Sequence, residues 1–206
     1  MAEGALTESE TYLLKNWTAA CRLEEAMKAV RFGRYAPIID KTAQMLVDRL
    51  GKDEYESCVR PTQNWGDGLI CFWMKKWEKS NDKGKSPWFC IGGLRLEILF
   101  SDRAPTKASP LPYASVNTGD MRQAGWDLGR LRDQIRAATS QMMKDFPKRS
   151  DEDESEPINY YLPEGRAGLR QLLLEDETGF TNLLISHGMR LAELATVITE
   201  VLASYK

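Results

Sequence analysis

Residues 65–100, WGDGLICFWMKKWEKSNDKGKSPWFCIGGLRLEILF, hold four of the six tryptophans and two dense apolar runs, LICFWMKKW and WFCIGGLRLEILF, parted by the polar insert EKSNDKGKSP. Over residues 69–77 the side chains alternate. Leu69, Cys71, Trp73 and Trp77 point one way and Ile70, Phe72 and Met74 the other, the two-residue period of a strand. Both sides are apolar near its start, which predicts a strand covered on both faces. The insert carries Asn81, Asp82 and Gly84, residues suited to an exposed turn. Residues 88–100 then return antiparallel, with Gly92-Gly93 as a bulge or a division into two strands. PLPYASVN, 110–117, adds a short edge strand after the proline-bearing RAPTKASP.

Outward from the sheet, the period changes to that of helices. From 9 to 30, Leu13, Trp17, Ala20, Met27 and Val30 mark an apolar side, while Glu24, Glu25 and Lys28 face water. Gly33 interrupts, Pro37 opens a second helix, and Ile38, Ile39, Ala43, Leu46, Val47 and Leu50 supply its buried side before Gly51. These read as two packed helices beside the sheet. A long helix is expected over 121–146, where Met121, Leu128, Leu131, Ile135 and Phe146 keep helical spacing. Its flank of Gly125, Gly129, Arg122, Arg132 and Arg136 suits close backbone approach, for which ordinary packing accounts better than phosphate binding. KRSDEDESEP, 148–157, is an acidic, exposed loop. After a turn at YYLPEG come a short helix over 167–176 and a longer one over 180–203. The apolar stripe of that last helix, Phe180, Leu184, Leu191, Leu194, Ile198 and Leu202, needs a cover from the sheet, another helix or a second subunit. The expectation is an α+β fold, an antiparallel three- or four-stranded sheet flanked by amino-terminal and carboxyl-terminal helices, in one domain over 1–206.

Composition narrows the function. With 206 residues, 28 basic and 30 acidic, the net charge is −2, which excludes a globally basic nucleic-acid footprint but permits a local one. The four cysteines, Cys21, Cys58, Cys71 and Cys90, are widely spaced and share the chain with one histidine. Neither a zinc site nor a disulfide scaffold emerges, and a cytoplasmic or other reducing intracellular setting is expected. The start lacks a basic leader with an apolar core, and no apolar run approaches the roughly 20 residues that cross a bilayer, so no membrane association is expected.

The chemistry is sparse. His187 sits on or beside the apolar stripe and reads as a hydrogen-bonded structural histidine; Ser186 beside it lies in ISHGM, which is not a GxSxG nucleophile elbow. Cys71 and Cys90 read as small apolar residues on paired strands. WGDGL, GKDEY and GKS lack the remainder of any nucleotide loop, so no cofactor is favoured. One enzyme alternative is a divalent-metal nuclease or phosphodiesterase. In it Asp67 and Glu97 hold magnesium or manganese, and Lys75 or Arg95 holds a phosphate. Arg95 and Glu97 on one strand face are equally explained as an ion pair. Lys75, Lys76, Lys79, Lys83 and Lys85, with Trp73, Trp77 and Trp88, offer a second alternative, single-stranded nucleic-acid binding. With no complete catalytic signature, the favoured reading is a non-enzymatic protein-interaction or regulatory module. It would meet a protein partner or a second copy through Trp65, Trp77 and Trp88 at the sheet rim, aided by the acidic loop and the last helix.

Overall fold

The alternation that begins near residue 69 is realised in a five-stranded antiparallel sheet, order β1-β2-β3-β4-β5: Tyr55–Val59, Ile70–Met74, Trp88–Gly92, Tyr113–Asn117 and Ile158–Tyr161. The computed structural model describes residues 7–59, 68–80, 86–105, 111–146 and 155–205. By its contacts the chain divides into two compact units, Met1–Pro37 and Ile38–Lys206. The fold is α+β, with the sheet flanked by helices from both ends of the chain. Among the described residues no helix is long and apolar enough to cross a membrane.

The first unit is helical: α1 (Glu8–Lys15), α2 (Trp17–Val30) and a π-helical turn over Arg31–Tyr35. Thr7 and Glu10 form a capping box at the start of α1, with Glu10 N donating to Thr7 Oγ1 at 3.2 Å and Thr7 N to Glu10 Oε2 at 2.7 Å. Asn16 separates the two helices, where a single helix was expected. No residue of α1 or α2 is buried.

In the second unit the register places Ile70, Phe72, Ile91, Phe89, Ala114, Val116, Ile158 and Tyr160 on one face of the sheet. Phe72 and Phe89 are direct partners across β2 and β3, with rings stacked at 4.9 Å. Each such fully buried ring contributes roughly 1.5–3 kcal/mol. On the reverse face Cys58, Cys71, Cys90, Ser115 and Asn159 form one cross-strand row. Helix α3 (Ala36–Leu50) ends at Gly51, whose φ of 99° admits the turn into β1.

Several boundaries differ from the sequence reading, each for a local reason. The strand expected through Trp77 stops at Met74, and Lys75 opens helix α4 (Lys75–Ser80). Lys75 N donates to Glu54 O at 2.8 Å and its Nζ to Lys52 O at 2.7 Å, tying the strand end to the entry of β1. The return strand likewise stops at Gly92. Gly93, at φ 72°, turns the chain where a Cβ would come within 2.9 Å of Leu111 O, and LEIL becomes the short helix α5 (Leu96–Leu99). β4, expected at the edge, is interior because β5 pairs with its free side, and Pro112 lies just before it without interrupting the ladder.

The helix expected over 121–146 is divided as well. A 3-10 helix (Gly119–Ala124) ends at Gly125, φ 86°, and α6 (Leu128–Thr139) restarts with Asp127 Oδ1 accepting from Arg130 N at 3.1 Å. At the carboxyl end stand α7 (Gly165–Glu175), α8 (Glu177–Ala192) and α9 (Ala195–Ser204), the last two replacing one expected helix. Their stripe is buried except at half-buried Leu202: α8 packs on β3 and β4, and α9 on α6. The sheet and α6 therefore supply the cover that the stripe required.

Candidate functional site

Of the two acids of the metal alternative only Glu97 is among the described residues. Asp67 and Trp65 lie outside them. Glu97 is exposed in the first turn of α5, and its Oε2 lies 3.7 Å from Arg95 Nε, a half-exposed pair whose net contribution is about 0–1 kcal/mol. The two belong to a helix start rather than to one strand face. Lys75 is occupied at Lys52 O. Among the described residues no group of three or more histidine, cysteine, aspartate or glutamate side chains can hold a metal ion.

The tryptophans divide differently from the expectation. Trp77 is not a rim anchor: the helical turn after Met74 swings it onto the Phe72–Phe89 side of the sheet. There its ring lies 5.4 Å from Phe89 and only 2% of it is exposed. Trp88 and Trp73 are half-buried on the reverse face. No exposed aromatic sheet rim exists among the described residues. The basic hairpin loses Trp77 as a stacking platform for the same reason, while Lys83 and Lys85 lie outside the described residues. Of the acidic loop, only 155–157 are described. These are engaged by hydrogen bonds, with Thr118 N donating to Ser155 O at 2.7 Å and Arg136 Nε to Pro157 O at 3.0 Å.

Exposed apolar surface is concentrated instead in the first unit. Among the described residues, eight of the eleven exposed large apolar side chains lie between Tyr12 and Phe32, and Trp17, Leu23 and Met27 are each more than half exposed. Leu23, Met27 and Val30 follow i, i+4, i+7 spacing and share one side of α2. Water surrounds apolar groups that the helical period has already gathered, the arrangement of a contact surface rather than of scattered surface residues. The sequence showed this stripe, but periodicity does not reveal what covers it.

A second locus lies where β5, the turns after α6 and the α8–α9 junction meet. Tyr160, 1% exposed, packs against Phe146 at 4.4 Å between ring centroids and against His187 at 6.1 Å. Arg190 stands over Phe146, with Cζ 4.1 Å from the ring centroid. His187 Nε2 lies 3.3 Å from Glu164 Oε2, and burial holds the imidazole below its usual titration range despite that carboxylate. Ser186 is exposed and donates to Leu183 O at 2.7 Å, a helix-backbone contact with no link to His187. Met143, Phe146, Tyr160, Arg190, Leu191 and Leu194 are among the residues lining a solvent-open pocket of about 190 Å³. The sequence reading took YYLPEG as a turn and so missed Tyr160; the alternating INYY after Pro157 was the available sign.

Comparison with protein-family models, curated proteins and solved structures finds no match to this chain.

Proposed function

We propose that the chain is a non-enzymatic protein-interaction module that engages a second copy of itself through the apolar side of α1 and α2. The observation that supports this is the clustering of seven exposed large apolar side chains on α1 and α2, helices with no buried residue. Exposed apolar side chains of this kind supply the area that an interface of standard size, about 800 Å² per partner, draws on. Charge favours a copy as the occupant. Residues 1–37 hold five acidic and five basic residues, so two copies of this unit meet without net repulsion.

Sedimentation of the full chain tests the proposal. A dimer is expected at about 10 μM, and Leu23→Asp with Met27→Asp should return it to monomer while the circular dichroism stays unchanged, since both positions already face water. A wild-type chain that stays monomeric to about 100 μM, or a double variant that still dimerises, overturns it.

A further inference from the structure

The geometry points to a peroxide-reactive thiol relay on the reverse face of the sheet, in which a hydroperoxide oxidises Cys58 and the oxidation comes to rest as a disulfide between Cys71 and Cys90. Register supplies the first argument. Cys58 is the direct partner of Cys71, and Cys71 of Cys90, so thiols from three adjacent strands stand in one row across the sheet. None of them is in a disulfide in this structure. Access is graded along the row. Cys58 is half-buried on β1, which ends the strand order, whereas Cys71 and Cys90 are buried on β2 and β3. An oxidant in solution therefore meets Cys58 first.

The backbone distinguishes the two pairs. Lys75 N donates to Glu54 O at 2.8 Å, which makes Glu54 and Lys75 a hydrogen-bonded pair, and alternation along the ladder makes Cys58 and Cys71 another. The amide and carbonyl of Cys71 then both face β1. Cys71 and Cys90 are consequently a non-hydrogen-bonded pair, the kind whose Cα atoms stand about 4.5 Å apart, against about 5.5 Å for the hydrogen-bonded kind. Cβ atoms are closer in such pairs too, and a disulfide needs about 3.5–4.5 Å between them. Cys71 and Cys90 are the better-placed couple, and Cys58 is the better-exposed thiol.

The chemistry balances on these three residues and one hydroperoxide. The Cys58 thiolate attacks a peroxide oxygen, the O–O bond breaks, and the sulfur becomes a sulfenic acid as water or an alcohol leaves. The Cys71 thiolate attacks the Cys58 sulfur and releases water, forming the Cys58–Cys71 disulfide. Cys90, on the far side of Cys71, then attacks the Cys71 sulfur in line with the departing Cys58 thiolate. Two thiols are oxidised, the peroxide is reduced, and Cys58 returns to its starting state.

Hydrogen peroxide added to the reduced full chain tests the relay, read by mass spectrometry of the non-reduced peptides. The expected product is a Cys71–Cys90 disulfide within one chain, with Cys58 recovered as a thiol. Cys58→Ser and Cys58→Ala, both at a half-buried position on the last strand of the sheet, should each slow its formation roughly tenfold, since buried thiols are inert to an external oxidant. Cys21→Ser should leave the rate unchanged, and Cys90→Ser should halt the exchange at the Cys58–Cys71 disulfide. Absence of any disulfide within the chain, with Cys58 driven on to sulfinic acid, overturns the relay. So does a Cys71–Cys90 disulfide that forms as fast in the Cys58 variants as in the wild type.

Discussion

The indole Nε1 of Trp77 donates a 2.9 Å hydrogen bond to Thr199 Oγ1, joining α4 to α9 across 122 positions of sequence. Thr199 Oγ1 itself donates to Ala195 O at 2.7 Å, so the acceptor is held by its own helix. One of the three tryptophans expected as recognition anchors is thus a fastener between the hairpin and the end of the chain.

Replacement of Trp77 should separate its two contributions. Trp77→Phe retains most of the ring packing on Phe89 and loses the indole donor, costing about 1–2 kcal/mol. Trp77→Ala opens a cavity and costs about 3–5 kcal/mol. Urea denaturation of both variants measures the difference, and equal losses would show that the hydrogen bond, not the ring, carries the site.

Gly188 and Leu46 set the approach of α8 to α3. A Cβ at 188 would come within 2.5 Å of Leu46 Cδ2, and Leu46 is fully buried. Gly188→Ala should therefore cost about 1–3 kcal/mol by forcing Leu46 from its rotamer. Combined with Leu46→Ala, its cost should shrink, because the methyl then occupies vacated space. A double-mutant cycle reads this as coupling, and strict additivity would refute the contact.

His187 makes stability depend on pH in a defined direction. Burial lowers its folded-state pKa below the ordinary value of 6.5, and the Glu164 carboxylate only partly opposes this. The unfolded chain consequently binds the proton more readily, so stability is full above about pH 6.5 and declines as pH falls towards the lowered folded value. Denaturation midpoints at about pH 8 and pH 5.5 should differ more for the wild type than for His187→Gln, which has no proton to gain in this range.

Thiol chemistry should follow the sheet. Cys71 and Cys90, 1% and 2% exposed, are direct cross-strand neighbours, whereas Cys21 and Cys58 are partly accessible. Iodoacetamide on the folded chain should label Cys21 and Cys58 and spare Cys71 and Cys90 until denaturant is added, as mass spectrometry of the peptides can read. Early labelling of Cys90 would contradict the burial of that row.

The central strands were legible because their signal is local. Ile70 and Phe72 alternate with Cys71 and Trp73, and both sets are apolar where both faces are covered. The α8 stripe was legible for the same reason, since Phe180, Leu184 and Leu191 recur at helical spacing whatever lies above them. β1 and β5 were not: YESCV and INYY are short and mix polar with apolar residues, and pairing with β2 and β4 is what makes them strands. The pocket escaped too, because Phe146, Tyr160 and Arg190 are brought together by packing and share no motif.

Sequence alone determined which residues could be buried together: the alternating hairpin, the helical stripes, and the glycines at 51 and 93 where the backbone turns. Only tertiary structure decided which of those apolar surfaces are covered. The stripes on α2 and α8 have the same period, yet α8 meets the sheet and α2 meets water. Trp77 was apolar in either reading, and one helical turn after Met74 decided its side. Periodicity is a property of the local backbone, whereas burial depends on what the rest of the chain brings to the other side.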